Sequence, residues 1–187
     1  VRSLPFRGLT DATPIDSMKL SEIFASTTVL VVDDEGYMRK VVRTMLMSLG
    51  MRTIDEAANG SAGLDLIRSA APDVVILDWQ MPGIDGPAFV RMVRSPDIFL
   101  YPNVPIIMLT GHGERSRVVE AVQIGVNEFL LKPVSSKSLQ DRLISVLIKP
   151  HPLVRAGAYY GPAPRKMAAA SIHADDDAVV ASLILLN

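Results

Sequence analysis

The stretch VVILDWQMPGIDG, residues 74–86, decides the fold. Four consecutive apolar residues stop abruptly at Asp78, and Met81-Pro82-Gly83 then marks a loop. A strand covered by helices on both faces reads as a continuous apolar run rather than as an alternation. Three further runs have this form: VLVV (29–32) before Asp33-Asp34, PIIML (105–109) before Thr110, and EFLL (128–131) before Lys132. In an open parallel sheet, ligands bind outside the carboxyl ends of the strands, near the point where strand order reverses. Three carboxylates, a hydroxyl and an ammonium are therefore expected in one crevice.

Between these runs the pattern changes to helical spacing. Met38, Val41, Val42, Met45, Leu46 and Leu49 share one face, and Gly50 closes that helix. A weaker strand at 51–57 ends at the turn Asn59-Gly60, and a helix at 61–70 is stopped by Ala71-Pro72. Helices are also expected at 86–94, 115–124 and 136–148, with strands at 106–109 and 126–131. Five βα units in succession specify an α/β fold, a doubly wound five-stranded parallel sheet with helices on both faces.

The expected organisation is an N-terminal extension at 1–26, one domain at 27–149, and a tail at 150–187 with no recognisable output domain. The extension holds one short helix near 17–24. Met18 makes it read as an upstream addition to a shorter product. The tail carries an aromatic–basic cluster (Arg155, Tyr159, Tyr160, Arg165, Lys166), expected as a flexible surface segment. It ends in the apolar AVVASLILLN, which would dock as a helix or a strand.

Composition narrows the function. The chain has 187 residues, a net charge of −1 and no broad basic field, and its tail has neither a helix-turn-helix pattern nor a basic stripe, so no nucleic-acid partner is expected. It contains no cysteine, which excludes disulfides and thiol chemistry and fits a cytoplasmic location. No apolar stretch approaches the roughly 18–20 residues of a membrane helix, and the first residues lack the apolar core of a secretory signal. His151 and His173 have no ligand partners at useful spacing.

Gathering Asp33, Asp34 and Asp78 is unfavourable, because unit charges about 4 Å apart repel by roughly 4 kcal/mol at an effective dielectric near 20. Protonation of one acid would relieve this, and a hard divalent cation such as Mg²⁺, which takes oxygen ligands, resolves it. Lys132 adds a compact positive charge, and Thr110-Gly111 offers a hydroxyl with room beside it. The set suits phosphoryl transfer, with one Asp as nucleophile.

VLVVDDE, VVILDWQMPGIDG, PIIMLTG and EFLLKP, in this order and spacing, resemble the receiver domains of two-component response regulators. The resemblance spans about residues 27–148 and implies the flavodoxin-like strand order 2-1-3-4-5. It implies that Asp78 accepts a phosphoryl group from a histidine kinase or phosphotransfer protein. Mg²⁺ would be held by Asp33, Asp34, Asp78 and the backbone carbonyl of Gln80, with Thr110 and Lys132 contacting the phosphoryl oxygens. Lys132-Pro133 resembles the family's usually cis peptide. Phe129 matches the aromatic that switches with Thr110, here without a phenolic hydroxyl. Gln80 and His112 match positions that tune dephosphorylation.

The resemblance implies a stand-alone phosphoacceptor switch rather than an enzyme, signalling to an unknown downstream protein through the last two helices and fifth strand. A phosphate sink or phosphorelay intermediate, and a receiver-like binding module that is never phosphorylated, remain alternatives. A haloacid-dehalogenase-type phosphatase wants a second Asp two residues after the nucleophile, where this chain has Gln80.

Overall fold

The computed structural model describes residues 17–111 and 115–163. Helix α1 (Ser17–Ser26) precedes β1 (Thr28–Val32), α2 (Gly36–Ser48), β2 (Thr53–Ala57), α3 (Gly60–Ala70) and β3 (Val74–Asp78). These are followed by α4 (Gly86–Val93), β4 (Ile106–Thr110), α5 (Arg115–Gln123), β5 (Glu128–Leu131) and α6 (Ser136–Leu147). A hairpin of β6 (Leu153–Ala156) and β7 (Tyr159–Pro162) closes the described chain.

The five-stranded sheet has the expected order, β2-β1-β3-β4-β5, with every pairing parallel. The apolar runs of β3 and β4 are buried throughout, as the sequence requires of central strands. Edge strand β2 instead buries only Ile54 and Ala57, which explains its weaker sequence signal. On one face Leu64, Ile67, Phe89, Val90, Val93 and Ala121 of α3, α4 and α5 cover Leu30, Val75, Leu77 and Met108. On the other, Val42, Leu46, Leu139, Leu143 and Val146 of α2 and α6 cover Val29, Val31, Ile76, Ile107 and Leu109. The two layers suspend the central strands so that their carboxyl ends share one rim.

Local chemistry fixes the helix ends. Asn59 and Asp85 accept hydrogen bonds from the amides of Ala62 and Ala88, at 2.9 and 2.8 Å. Ser135 and Ser138 form a reciprocal capping box at the start of α6. Gly50 and Gly125 end their helices with φ of 98° and 91°, as their sequence positions require. Ala71 takes the same left-handed role without being glycine, at φ 46°.

Two terminal elements go beyond the expected sheet and its helices. In α1, Leu20, Ile23 and Phe24 fall at helical spacing and join the α2–α6 core, with Phe24 fully buried. The sequence reading left this extension outside the domain. Residues 153–162, expected as a flexible surface segment, form a docked antiparallel hairpin, with Leu153 opposite Pro162 and Ala156 opposite Tyr159. Gly157, at φ 57°, accommodates its turn. Arg165, Lys166, the terminal apolar run and His112 lie outside the described residues. Among the described residues, no helix is long and apolar enough to cross a membrane.

Candidate functional site

Four strand ends converge as the sequence implies. Asp33 follows β1, Asp78 ends β3, Thr110 ends β4, and Lys132 follows β5. Backbone bonds register these ends: Trp79 N–H donates to the Leu109 carbonyl at 2.9 Å, and Lys132 N–H to the Thr110 carbonyl at 2.7 Å. The Lys132-Pro133 peptide is cis.

One carboxylate oxygen from each of Asp33, Asp34 and Asp78 lies within 4.8 Å of the others. Asp33 and Asp78 are 1% and 6% exposed, while Asp34 faces solvent. The Lys132 ammonium sits 2.7 Å from Asp78 and 3.2 Å from Asp33. Thr110 is buried beside them. The second oxygen of Asp78 accepts the Gln80 amide at 3.0 Å, and Asp33 accepts the Glu35 amide at 2.8 Å. Both bonds orient an acid from its own loop.

Burial pushes the Asp78 carboxyl above the usual carboxylate range against the bond and charge of Lys132, and the Asp33 charge adds to the rise. Burial also works against the Lys132 ammonium, but Asp78 and then Asp33 outweigh it and raise its pKa. Three carboxylates against one ammonium leave the cluster two charges negative, which a divalent ion matches. An all-oxygen donor set fits a hard cation. Phe129, half-buried in β5, stands opposite Met108 of β4.

Three residues hold the site that the sequence did not reveal as supports. Arg39 of α2 donates to the backbone carbonyls of Asp33 and Asp34, at 2.7 and 3.3 Å, and so fastens the acidic loop. Gly86 lets α4 begin against the end of β3: a Cβ there would come within 2.6 Å of the Asp78 carbonyl oxygen. Arg117 of α5 places its guanidinium 5.5 Å from the centre of the Trp79 ring. No periodicity marks any of them, although a glycine at the first helical position after the Asp85 cap is a signal that close approach can explain. Trp79, Gln80, Met81, Pro82 and Asp85 line an open cleft beside Asp78.

A doubly wound sheet with acids, a hydroxyl and a lysine at adjoining strand ends defines a class of α/β domain that handles a charged group at its switch point. Within that class, the chain belongs to the response regulator receiver domain family, whose sequence model matches residues 29–144. It is 32% identical over 115 residues to chemotaxis protein CheY-3 of Vibrio cholerae, covering 62% of this chain and 87% of that one. It is 36% identical over 119 residues to a CheY homolog of Campylobacter jejuni, covering 63% and 90% respectively. Among solved structures, Vibrio cholerae CheY4 aligns with a TM-score of 0.59 and 33% identity, over 65% of this chain and 98% of the other. A CheX–CheY–BeF3–Mg²⁺ complex from Borrelia burgdorferi aligns with a TM-score of 0.59 and 28% identity, over 64% and 88%. The family match includes neither α1 nor the β6–β7 hairpin.

Proposed function

We propose that this chain is a phosphoacceptor switch in which Asp78 takes a phosphoryl group from a histidine kinase or phosphotransfer protein. The observation that carries the reading is the Lys132 ammonium 2.7 Å from a buried Asp78 flanked by two further carboxylates. An Asp78 oxygen attacks phosphorus as the bond to the donor imidazole breaks, and that nitrogen leaves with the electron pair. Lys132 and the Thr110 hydroxyl take the phosphoryl oxygens, so the protein's contribution is positioning and neutralisation. Asp33, Asp34, Asp78 and the Gln80 carbonyl would hold Mg²⁺, which supplies further neutralisation of those oxygens when bound. The signal then passes to a downstream protein through contacts. The CheX–CheY–BeF3–Mg²⁺ assembly supports both the ion and a protein partner as kinds of ligand for such a domain.

Trp79 is the sole tryptophan and adjoins the acceptor, so its fluorescence is a direct reporter. It is expected to change on adding Mg²⁺, and again on adding beryllofluoride as a phosphoryl mimic. In Asp34→Asn the Mg²⁺ affinity should fall by about tenfold or more, since a charged ligand is lost. A wild type silent to both additions, together with undiminished labelling of Asp78→Asn by a small phosphodonor, would remove Asp78 from the role.

A further inference from the structure

The β6–β7 hairpin lies outside the family match, yet it is fastened to the domain at several points. Arg155 makes a two-pronged bond to Asp97, at 2.7 and 3.3 Å, and the Tyr160 hydroxyl bonds to Asn103. Tyr159 ties the hairpin to itself by donating to the Pro162 carbonyl at 2.7 Å, and the Ala163 amide donates to Pro152 at 2.8 Å. The tightest contact is backbone on backbone. A Cβ on Gly125 would meet the Tyr160 carbonyl oxygen at 2.7 Å, and a Cβ on Gly161 would meet the Gly125 Cα at 2.6 Å. Two glycines therefore permit an approach that any side chain would prevent.

Gly125 is the turn that ends α5, and α5 begins just beyond Thr110 and Gly111. A helix of nine residues spans about 13 Å, so α5 runs from the chain that follows the Thr110 strand end to the hairpin contact. The turn is also gripped from beneath. Buried Arg94 donates to the carbonyls of Gly125 and Val104, both at 2.9 Å, and to Asn127 Oδ1 at 2.7 Å. Arg117, on the first turn of α5, has a buried Nη1 without a hydrogen-bond partner and rests on Trp79. Among the described residues, the first turn of α5 thus meets the Trp79 ring through Arg117, and its C-terminal turn meets both Arg94 and the hairpin.

We propose that the 153–162 hairpin is a strap across the α5–β5 turn whose docking is coupled to the phosphoryl state of Asp78. The inference rests on the phosphoacceptor reading. Drawing the Thr110 hydroxyl onto a phosphoryl group displaces the carboxyl end of β4, from which the chain runs on to α5. A rigid helix passes that movement to Gly125. The contact between Gly125 and Gly161 is already at closest approach, so displacement of the turn in any direction loses packing or creates a clash. Occupancy of the site therefore loosens the strap. By reciprocity, a weakened strap must favour the occupied site by the same factor.

The full chain is tested by amide hydrogen exchange over 153–162 in Mg²⁺, with and without beryllofluoride, and by beryllofluoride titrations read from Trp79. Exchange in the hairpin should rise about tenfold on occupancy. Arg155→Ala and Gly161→Val, which release the strap at separate points, should each bind beryllofluoride about fivefold more tightly. Unchanged hairpin exchange in a wild type that does titrate overturns the coupling alone. Wild-type affinity in both variants does the same. A wild type that fails to bind beryllofluoride overturns the phosphoacceptor reading, and the coupling with it.

Discussion

Lys132→Ala is expected to slow phosphorylation of the protein by a small phosphodonor by about 100-fold, the usual scale for losing one preorganised charge at a phosphoryl or oxyanion site. It should also destabilise the fold by about 2–3 kcal/mol, because its ammonium answers both Asp33 and Asp78. Without it, two buried carboxylates remain within reach of each other. The Lys132 pKa is raised, so its contribution is full below the ordinary lysine value and is lost only as pH rises through the raised one. Urea melts near pH 7 therefore register the whole loss. Mg²⁺ should return part of the stability but not the rate, since it replaces charge but not the phosphoryl contact. A variant with wild-type labelling kinetics would show that the Lys132–Asp78 pair is only structural.

Asp78→Asn is expected to act in the opposite sense on stability. Burial, helped by the Asp33 charge, disfavours ionised Asp78 in the folded state more than Lys132 favours it. A neutral isostere relieves that cost, and Lys132 keeps Asp33 as a partner at 3.2 Å. Each kcal/mol of gain raises Tm by about 2–4 °C for a chain of this size. Since the folded pKa of Asp78 is raised, protonation stabilises the wild type as pH falls through that value towards the ordinary carboxylate one. The advantage of Asn must accordingly be largest at neutral pH and fade as pH approaches about 4. Melting curves of the two proteins across this range measure it. A variant less stable than wild type at pH 7 would mean that the Lys132 bond outweighs burial. On the proposed reading, an acid that costs stability when ionised is held where a cation and a phosphoryl group would relieve that cost.

The central sheet was legible because buried parallel strands write themselves as uninterrupted apolar runs. The polar residue ending each run marks the rim on which the site is built. Asp33, Asp78, Thr110 and Lys132 were readable for that reason, and their convergence follows from strand order alone. Strand β2 was blurred at its start, because an edge strand with exposed Thr53 and Glu56 lacks the continuous run. Arg39 and Gly86 were hidden for a different reason: their roles depend on backbone atoms brought close by tertiary packing, and a carbonyl oxygen leaves no mark in a side-chain pattern. The hairpin escaped because LVRA and YYGP are only four residues each, the first running into Gly157 and the second ending in Gly161-Pro162, which reads as loop. Its stability comes from Arg155, Tyr160 and the Gly125–Gly161 contact, all with partners distant in sequence. The α1 core contact was available in principle, since Leu20, Ile23 and Phe24 have helical spacing, but three residues rarely decide whether a short helix docks.

Trapping the acyl phosphate tests the central claim most directly. The protein is treated with a small phosphodonor and Mg²⁺, reduced with borohydride, and read by peptide mass spectrometry. An aspartyl phosphate is reduced to homoserine, so the peptide containing residue 78 should carry that conversion. It should be missing without donor and missing in Asp78→Asn. Conversion at another carboxylate, or bound phosphate that resists reduction and survives in Asp78→Asn, would contradict the account.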